Sequence, residues 1–230
     1  MEDNYKEIID EYLKDLNTEE LIKHIFLLKP SLKITSKKVH DIFDKISKEY
    51  NIPFKDFKII GSTHTGFSFI KPKFSKEIKF FSNDSDLDIA IINKDFFYHL
   101  YKNTLKITEY FKNNTFFYKP EYEQLFKENY LKGYIRPDTI GDKKFRNNWM
   151  RFFYDLSKDY DFNKISAAIY LDEETFNNKI NESLNIYIKE NWRDNMGSEI
   201  LGGKYKVSSK DVSDLDSMMK KGELIYAPYY

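Results

Sequence analysis

Apolar residues along the chain switch period several times, and each switch marks a change of element. Ile8, Ile9, Tyr12, Leu13 and Leu16 recur at three and four, and Thr18 heads a capping pattern before Leu21, Ile25 and Leu28, so the spacing predicts helices up to Pro30. Val39, Ile42, Phe43 and Ile46 form the stripe of a further helix, with Thr35 or Ser36 as its cap and Asn51-Ile52-Pro53 as its stop. The texture then becomes short and β-branched. Phe57-Lys58-Ile59-Ile60-Gly61, Leu87-Asp88-Ile89-Ala90-Ile91-Ile92 and Lys164-Ile165-Ser166-Ala167-Ala168-Ile169-Tyr170-Leu171 read as buried strands. Between the first two, residues 70–84 form a Lys-rich insert with room for a short hairpin. Helical spacing returns over Lys94 to Asn113, Pro120 to Leu131, Phe145 to Ser157 and residues 174–192. The aromatic stripe from Phe96 to Tyr110 is expected in the core.

These elements predict an α+β fold with a small mixed sheet flanked by helices. The expected divisions are a helical N-terminal segment (1–52), a core with a helical insertion (53–172), a C-terminal helix (173–196) and a tail (197–230). The tail holds four of the eight glycines and ends in Tyr226-Ala227-Pro228-Tyr229-Tyr230.

Composition narrows the function. The chain has 230 residues, 41% of them hydrophobic and 17% aromatic, enough to fill a sizeable core and to exclude general disorder. Lys+Arg and Asp+Glu both number 37, so no bulk basic field exists for coating nucleic acid or a membrane surface. A polyanion must be met at a site. Cysteine is absent, which removes disulfides and thiolate zinc sites. Neither a signal peptide nor a long uncharged apolar run is apparent, so a cytoplasmic location is expected. Lysine dominates the basic residues, and Arg136, Arg146, Arg151 and Arg193 are the only arginines. Each of the first three is a candidate phosphate clamp or a partner in an ion pair.

The chemistry lies in Ile60-Gly61-Ser62-Thr63-His64-Thr65-Gly66 and Ser85-Asp86-Leu87-Asp88-Ile89. Two carboxylates two apart at the start of a strand point to one side. Held that close they repel, and a divalent cation relieves the repulsion; hard oxygen ligands suit Mg²⁺ or Mn²⁺ bridging to phosphates. Gly61-Ser62 ends a strand where backbone N–H groups can meet an anion, and glycine permits close approach. His64 is either a phosphate donor or a helix cap.

This pattern resembles the nucleotidyltransferases of the DNA polymerase beta superfamily, which carry Gly-Ser after a first strand and Asp-x-Asp on a second. The resemblance covers about residues 55 to 95, with 24 residues from Ser62 to Asp86, a longer gap than is usual in that superfamily. It implies two metal ions on Asp86 and Asp88, an in-line displacement at the α-phosphate of a dNTP or NTP, and β- and γ-phosphates on Gly61 and Ser62. Arg136 is a further candidate for nucleotide binding. The superfamily's third carboxylate has no counterpart inside Ile165 to Tyr170; the candidates are Asp172 and then Asp138.

The terminal tyrosines read either as an anchor or as acceptors, since a nucleotidyltransferase needs a hydroxyl and a metal ion can bring a phenol into play. A chain with Gly61-Ser62, Asp86-x-Asp88 and a tyrosine-ended tail resembles the nucleotidyltransferases of Hailong antiphage systems. That resemblance implies a template-independent DNA polymerase primed on Tyr230, Tyr229 or Tyr226. It also implies a single-stranded oligonucleotide product that restrains a membrane ion-channel effector. The rivals are a toxin-like transferase acting on tRNA or protein, a cyclic-oligonucleotide synthase, and a non-catalytic nucleotide-binding protein.

Overall fold

In a computed structural model the described residues are 4–14, 18–70 and 77–191. The chain divides into two compact units, Met1–Ile186 and Tyr187–Tyr230. Described residues of the first unit form a mixed α+β fold. In chain order its elements are α1 (Lys6–Lys14), α2 (Thr18–Ile22), a π-helix (Lys23–Leu28), α3 (Ser36–Tyr50), β1 (Phe57–Ile60), α4 (Ser62–Thr65), β2 (Leu87–Ile92), α5 (Lys94–Ile107), α6 (Pro120–Leu131), β3 (Tyr134–Ile135), α7 (Lys143–Asp159), β4 (Ile165–Tyr170) and α8 (Glu173–Asn191), which runs on into the second unit. Among the described residues no helix is long and apolar enough to cross a membrane.

The sheet has the order β1-β2-β4-β3. β1 runs antiparallel to β2, β2 parallel to β4, and β4 antiparallel to β3. Side chains alternate across it. Phe57, Ile59, Leu87, Ile89, Ile91, Ile135, Ile165 and Ile169 join one hydrophobic core with the stripes of α3, α5 and α7. On the same strands Ile60, Asp88 and Ser166 are register neighbours that share the opposite face. At the far end of β4 this face is closed by α8, where Phe176 meets Tyr170 edge-on. Both ends of α3 are as its residues dictate: Thr35 accepts from the Lys38 amide, and Asn51 takes the left-handed conformation after the last turn.

Two features depart from the pattern. The insert is held at its base by pairing of Phe67 with Phe80, with Ser68 N donating to Lys79 O and Phe81 N to Gly66 O; residues 71–76 lie outside the described set. β3 was not legible, because a two-residue strand has no period to read. It is fixed by its surroundings. Gly133 has φ +75, and a Cβ there would lie 2.3 Å from Thr175 Cγ2. Gly133→Ala is therefore expected to lower stability by about 2 kcal/mol, measured by chemical denaturation. An unchanged midpoint would show that this turn does not hold β3 to the start of α8.

Candidate active site

The site is built where β1 ends and β2 begins. Gly61 follows β1 with φ 68 and ψ −159, a backbone that favours glycine. Its Cα lies against the carboxylate of β2: a Cβ on Gly61 would sit 3.2 Å from Asp88 Oδ2. α4 starts at once, with His64 and Thr65 N–H groups donating to Gly61 O, so the turn's own hydrogen bonds do not use the amides of Ser62 and Thr63. Thr63 Oγ1 donates to Asp86 O at 2.9 Å, tying the turn to the start of β2. Gly61-Ser62 and Asp86-x-Asp88 are thus brought together.

Each carboxylate is oriented by a neighbour that sequence reasoning missed. Asn163 Nδ2 donates to Asp86 Oδ1 at 2.9 Å, and Ser166 Oγ donates to Asp88 Oδ1 at 2.7 Å. Ser166 stands beside Asp88 because β2 and β4 are parallel and in register, Asp88 with Ser166. That pairing was the missing signal: once both strands are aligned from their starts, 166 is the neighbour of 88. Burial raises the Asp88 pKa, the Ser166 hydrogen bond opposes this, and the Asp86 charge adds to the rise. Neither Asp86 nor Asp88 has a salt-bridge partner among the described residues. Two neighbouring carboxylates without a salt-bridge partner, the pKa of one raised by burial and only partly relieved by Ser166 and Lys164, form a donor set that fits a hard divalent ion.

Other predicted residues fall elsewhere. Asp172 lies past the opposite end of β4, roughly 20 Å of strand from Ser166, and its Oδ1 accepts from the Thr175 amide at 2.9 Å. It is not beside the pair. No described His, Cys, Asp or Glu joins Asp86 and Asp88 in a cluster of three. His64 is turned inward: it is 3% exposed, Nε2 donates to Ile25 O at 2.8 Å, and Nδ1 accepts from Ser31 Oγ at 2.9 Å. The carbonyl has no proton to give, so this pair of partners fixes the neutral Nε2–H tautomer. Its ring also stacks on Phe26, so it holds the N-terminal helices to α4 and does not reach a phosphate. Arg146 is buried, donating to Ile140 O at 2.6 Å, a role outside both expected alternatives. Tyr226, Tyr229 and Tyr230 lie outside the described residues.

A pocket of about 530 Å³ runs along β4 and reaches Asp88 and Ile60. Arg136 and Asp138 line it as a two-point ion pair, with Nη2 to Oδ2 at 2.6 Å and Nε to Oδ1 at 3.2 Å. Met150, Phe153 and Tyr154 of α7 supply an apolar wall. Arg136 is therefore near Asp88 but engaged by Asp138.

Comparison with known proteins gives no match: no protein-family model, curated protein or solved structure is significantly similar to the chain.

Proposed function

We propose that the chain is a metal-dependent nucleotidyltransferase that joins nucleoside monophosphate units from a dNTP to a hydroxyl. In this proposal it works without a template, begins on a C-terminal tyrosine, and serves antiphage defence by making a single-stranded oligonucleotide that acts on a membrane ion-channel effector. The observation that supports the transferase reading is the approach of Gly61 to the Asp88 carboxylate: a Cβ there would crowd Oδ2 at 3.2 Å and φ +68 favours glycine, so a turn suited to meeting phosphate lies beside carboxylates suited to holding metal.

Asp86 and Asp88 would hold Mg²⁺ or Mn²⁺, and when bound the ions supply charge stabilisation at the α-phosphate and lower the pKa of the attacking hydroxyl. Gly61 and Ser62 would orient the β- and γ-phosphates. Asn163 and Ser166 each hold one of the two carboxylates by a hydrogen bond. In the reaction an O–P bond forms between the hydroxyl and the α-phosphorus, the bond to pyrophosphate breaks, and the hydroxyl proton passes to water.

Intact mass spectrometry tests the proposal. After incubation with Mg²⁺ and each dNTP, the protein is expected to gain mass in single-nucleotide steps, and deletion of residues 226–230 is expected to remove the ladder. A chain that gains no mass under any dNTP or NTP would overturn it. Ser166 in the place of an acid favours a second reading, a non-catalytic nucleotide-binding protein. Triphosphate binding in calorimetry without turnover is the result that would select it.

A further inference from the structure

β3 stops short and leaves half of β4 with an open edge. Even-numbered residues of β4 and its approach bond toward β2, as Leu87 N to Lys164 O and Asn93 N to Tyr170 O show; odd-numbered ones face the other way, as Leu171 N to Gly133 O and Ile165 N to Ser157 Oγ show. Alternation therefore turns the N–H and C=O of Ala167 away from β2. The register Tyr134 with Tyr170 and Ile135 with Ile169 would bring residue 137 opposite Ala167. Residue 137 is proline, which has no N–H, and the chain turns there into a single 3₁₀ turn, Pro137–Thr139. No described residue gives Ala167 a backbone partner on that side. A half-buried peptide group without a partner is unfavourable unless a ligand or water takes it up.

That edge faces the pocket of about 530 Å³ beside Asp88. Ala167 and Ala168 present little side chain, so the backbone itself forms the floor, with Met150, Phe153 and Tyr154 opposite. Of the two cations that line the pocket, Arg136 is already paired with Asp138, so in the metal-free chain Lys164 alone is open to a phosphate. A nucleic-acid strand requires several cations along its phosphates. A backbone donor and acceptor flanked by an apolar wall is the recognition chemistry of strand addition.

We propose that this pocket binds an extended polypeptide segment, which pairs with Ala167 along the free edge of β4 and lays a side chain against α7. If the chain is a nucleotidyltransferase, as proposed above, the segment carries the acceptor hydroxyl. An in-line displacement has its leaving group and its nucleophile on opposite sides. The pocket meets Ile60, next to Gly61, at one end and runs past Asp88 along β4, so a hydroxyl carried by the segment would arrive from the β4 end, away from Gly61 and Ser62. The role in transfer rests on that reading, whereas the binding does not.

The test is nuclear magnetic resonance titration of the full chain, without metal or triphosphate, using the capped peptide acetyl-Val-Tyr-Val-amide, with thymidine and a short oligothymidylate as competing probes. Saturable shifts of the Ala167 amide by the peptide are expected. Two variants are used in case one misfolds: Ala167→Pro removes the outward N–H, which an edge position tolerates, and Tyr154→Ala trims a ring on the exposed side of α7. Each is expected to weaken the peptide by about tenfold or more while calorimetric binding of Mg²⁺ and dNTP is unchanged. No peptide shift, peptide binding undiminished in both variants, or preferential filling of the pocket by thymidine or oligothymidylate would overturn the inference. Nucleotide transfer seen without peptide binding removes this inference alone, and peptide binding without any transfer removes only the acceptor role.

Discussion

Asp88→Asn is expected to reduce nucleotide transfer by about a thousandfold or more while leaving the folded protein no less stable. The carboxylate is central in a literal sense, since Gly61 lies on one flank and Ser166 on the other. An asparagine amide has nearly the same shape, and its oxygen can still accept the Ser166 hydrogen bond. What it lacks is the charge that holds a divalent ion. Stability should not fall, because burial and the neighbouring Asp86 both work against the ionised form of Asp88. The two measurements therefore separate a chemical role from a structural one. Single-turnover transfer and thermal denaturation of the same preparation check them, and transfer that persists near the wild-type rate would sink the assignment. Ser166→Ala offers a graded comparison. It removes one hydrogen bond to Asp88 and should weaken Mg²⁺ binding by about tenfold without abolishing transfer, as expected for a group that only positions a ligand.

How much of this site was legible depends on whether the signal is local. The strands β1, β2 and β4 and the helix α3 follow from runs of Ile and Phe whose spacing is unambiguous, and the pairing of Gly61-Ser62 with Asp86-x-Asp88 follows from strand, turn and strand order. Asn163 and Ser166 are not legible in that way. They matter only through the alignment of β2 with β4, which is set by tertiary packing. The same alignment explains why Asp172 fails as a third acid. In parallel strands, start lies beside start, so an acid at the end of β4 cannot meet a pair at the start of β2. Arg136 shows a different limit: its position beside the pocket is set by β3 and Pro137, a strand of two residues ended by one proline. No sequence period marks that open edge, yet it decides which backbone groups face the pocket.

His64 gives the clearest case of a residue whose sequence position suggested chemistry and whose environment makes it a structural hinge pin. Its first hydrogen-bond partner, Ile25 O, lies 39 residues away, and its second is Ser31. The chain around it is tied in the same way: Leu32 N donates to His64 O, Lys33 N to Thr63 O and Tyr5 N to Thr65 O. Burial depresses the pKa of His64 to about 4, against the weaker opposing effect of the hydrogen bond to Ile25. The unfolded chain takes up this proton near pH 6.5, whereas the folded chain resists until about pH 4. Stability from this group is therefore complete above pH 6.5 and is lost as pH falls toward about 4, where the loss levels off. Across that window the loss amounts to about 3 kcal/mol. Urea denaturation at a series of pH values should show this slope, and His64→Gln, which can still donate to Ile25 O but cannot take up a proton, should flatten it by the same amount. A slope that survives in His64→Gln would place the acid sensitivity in other groups.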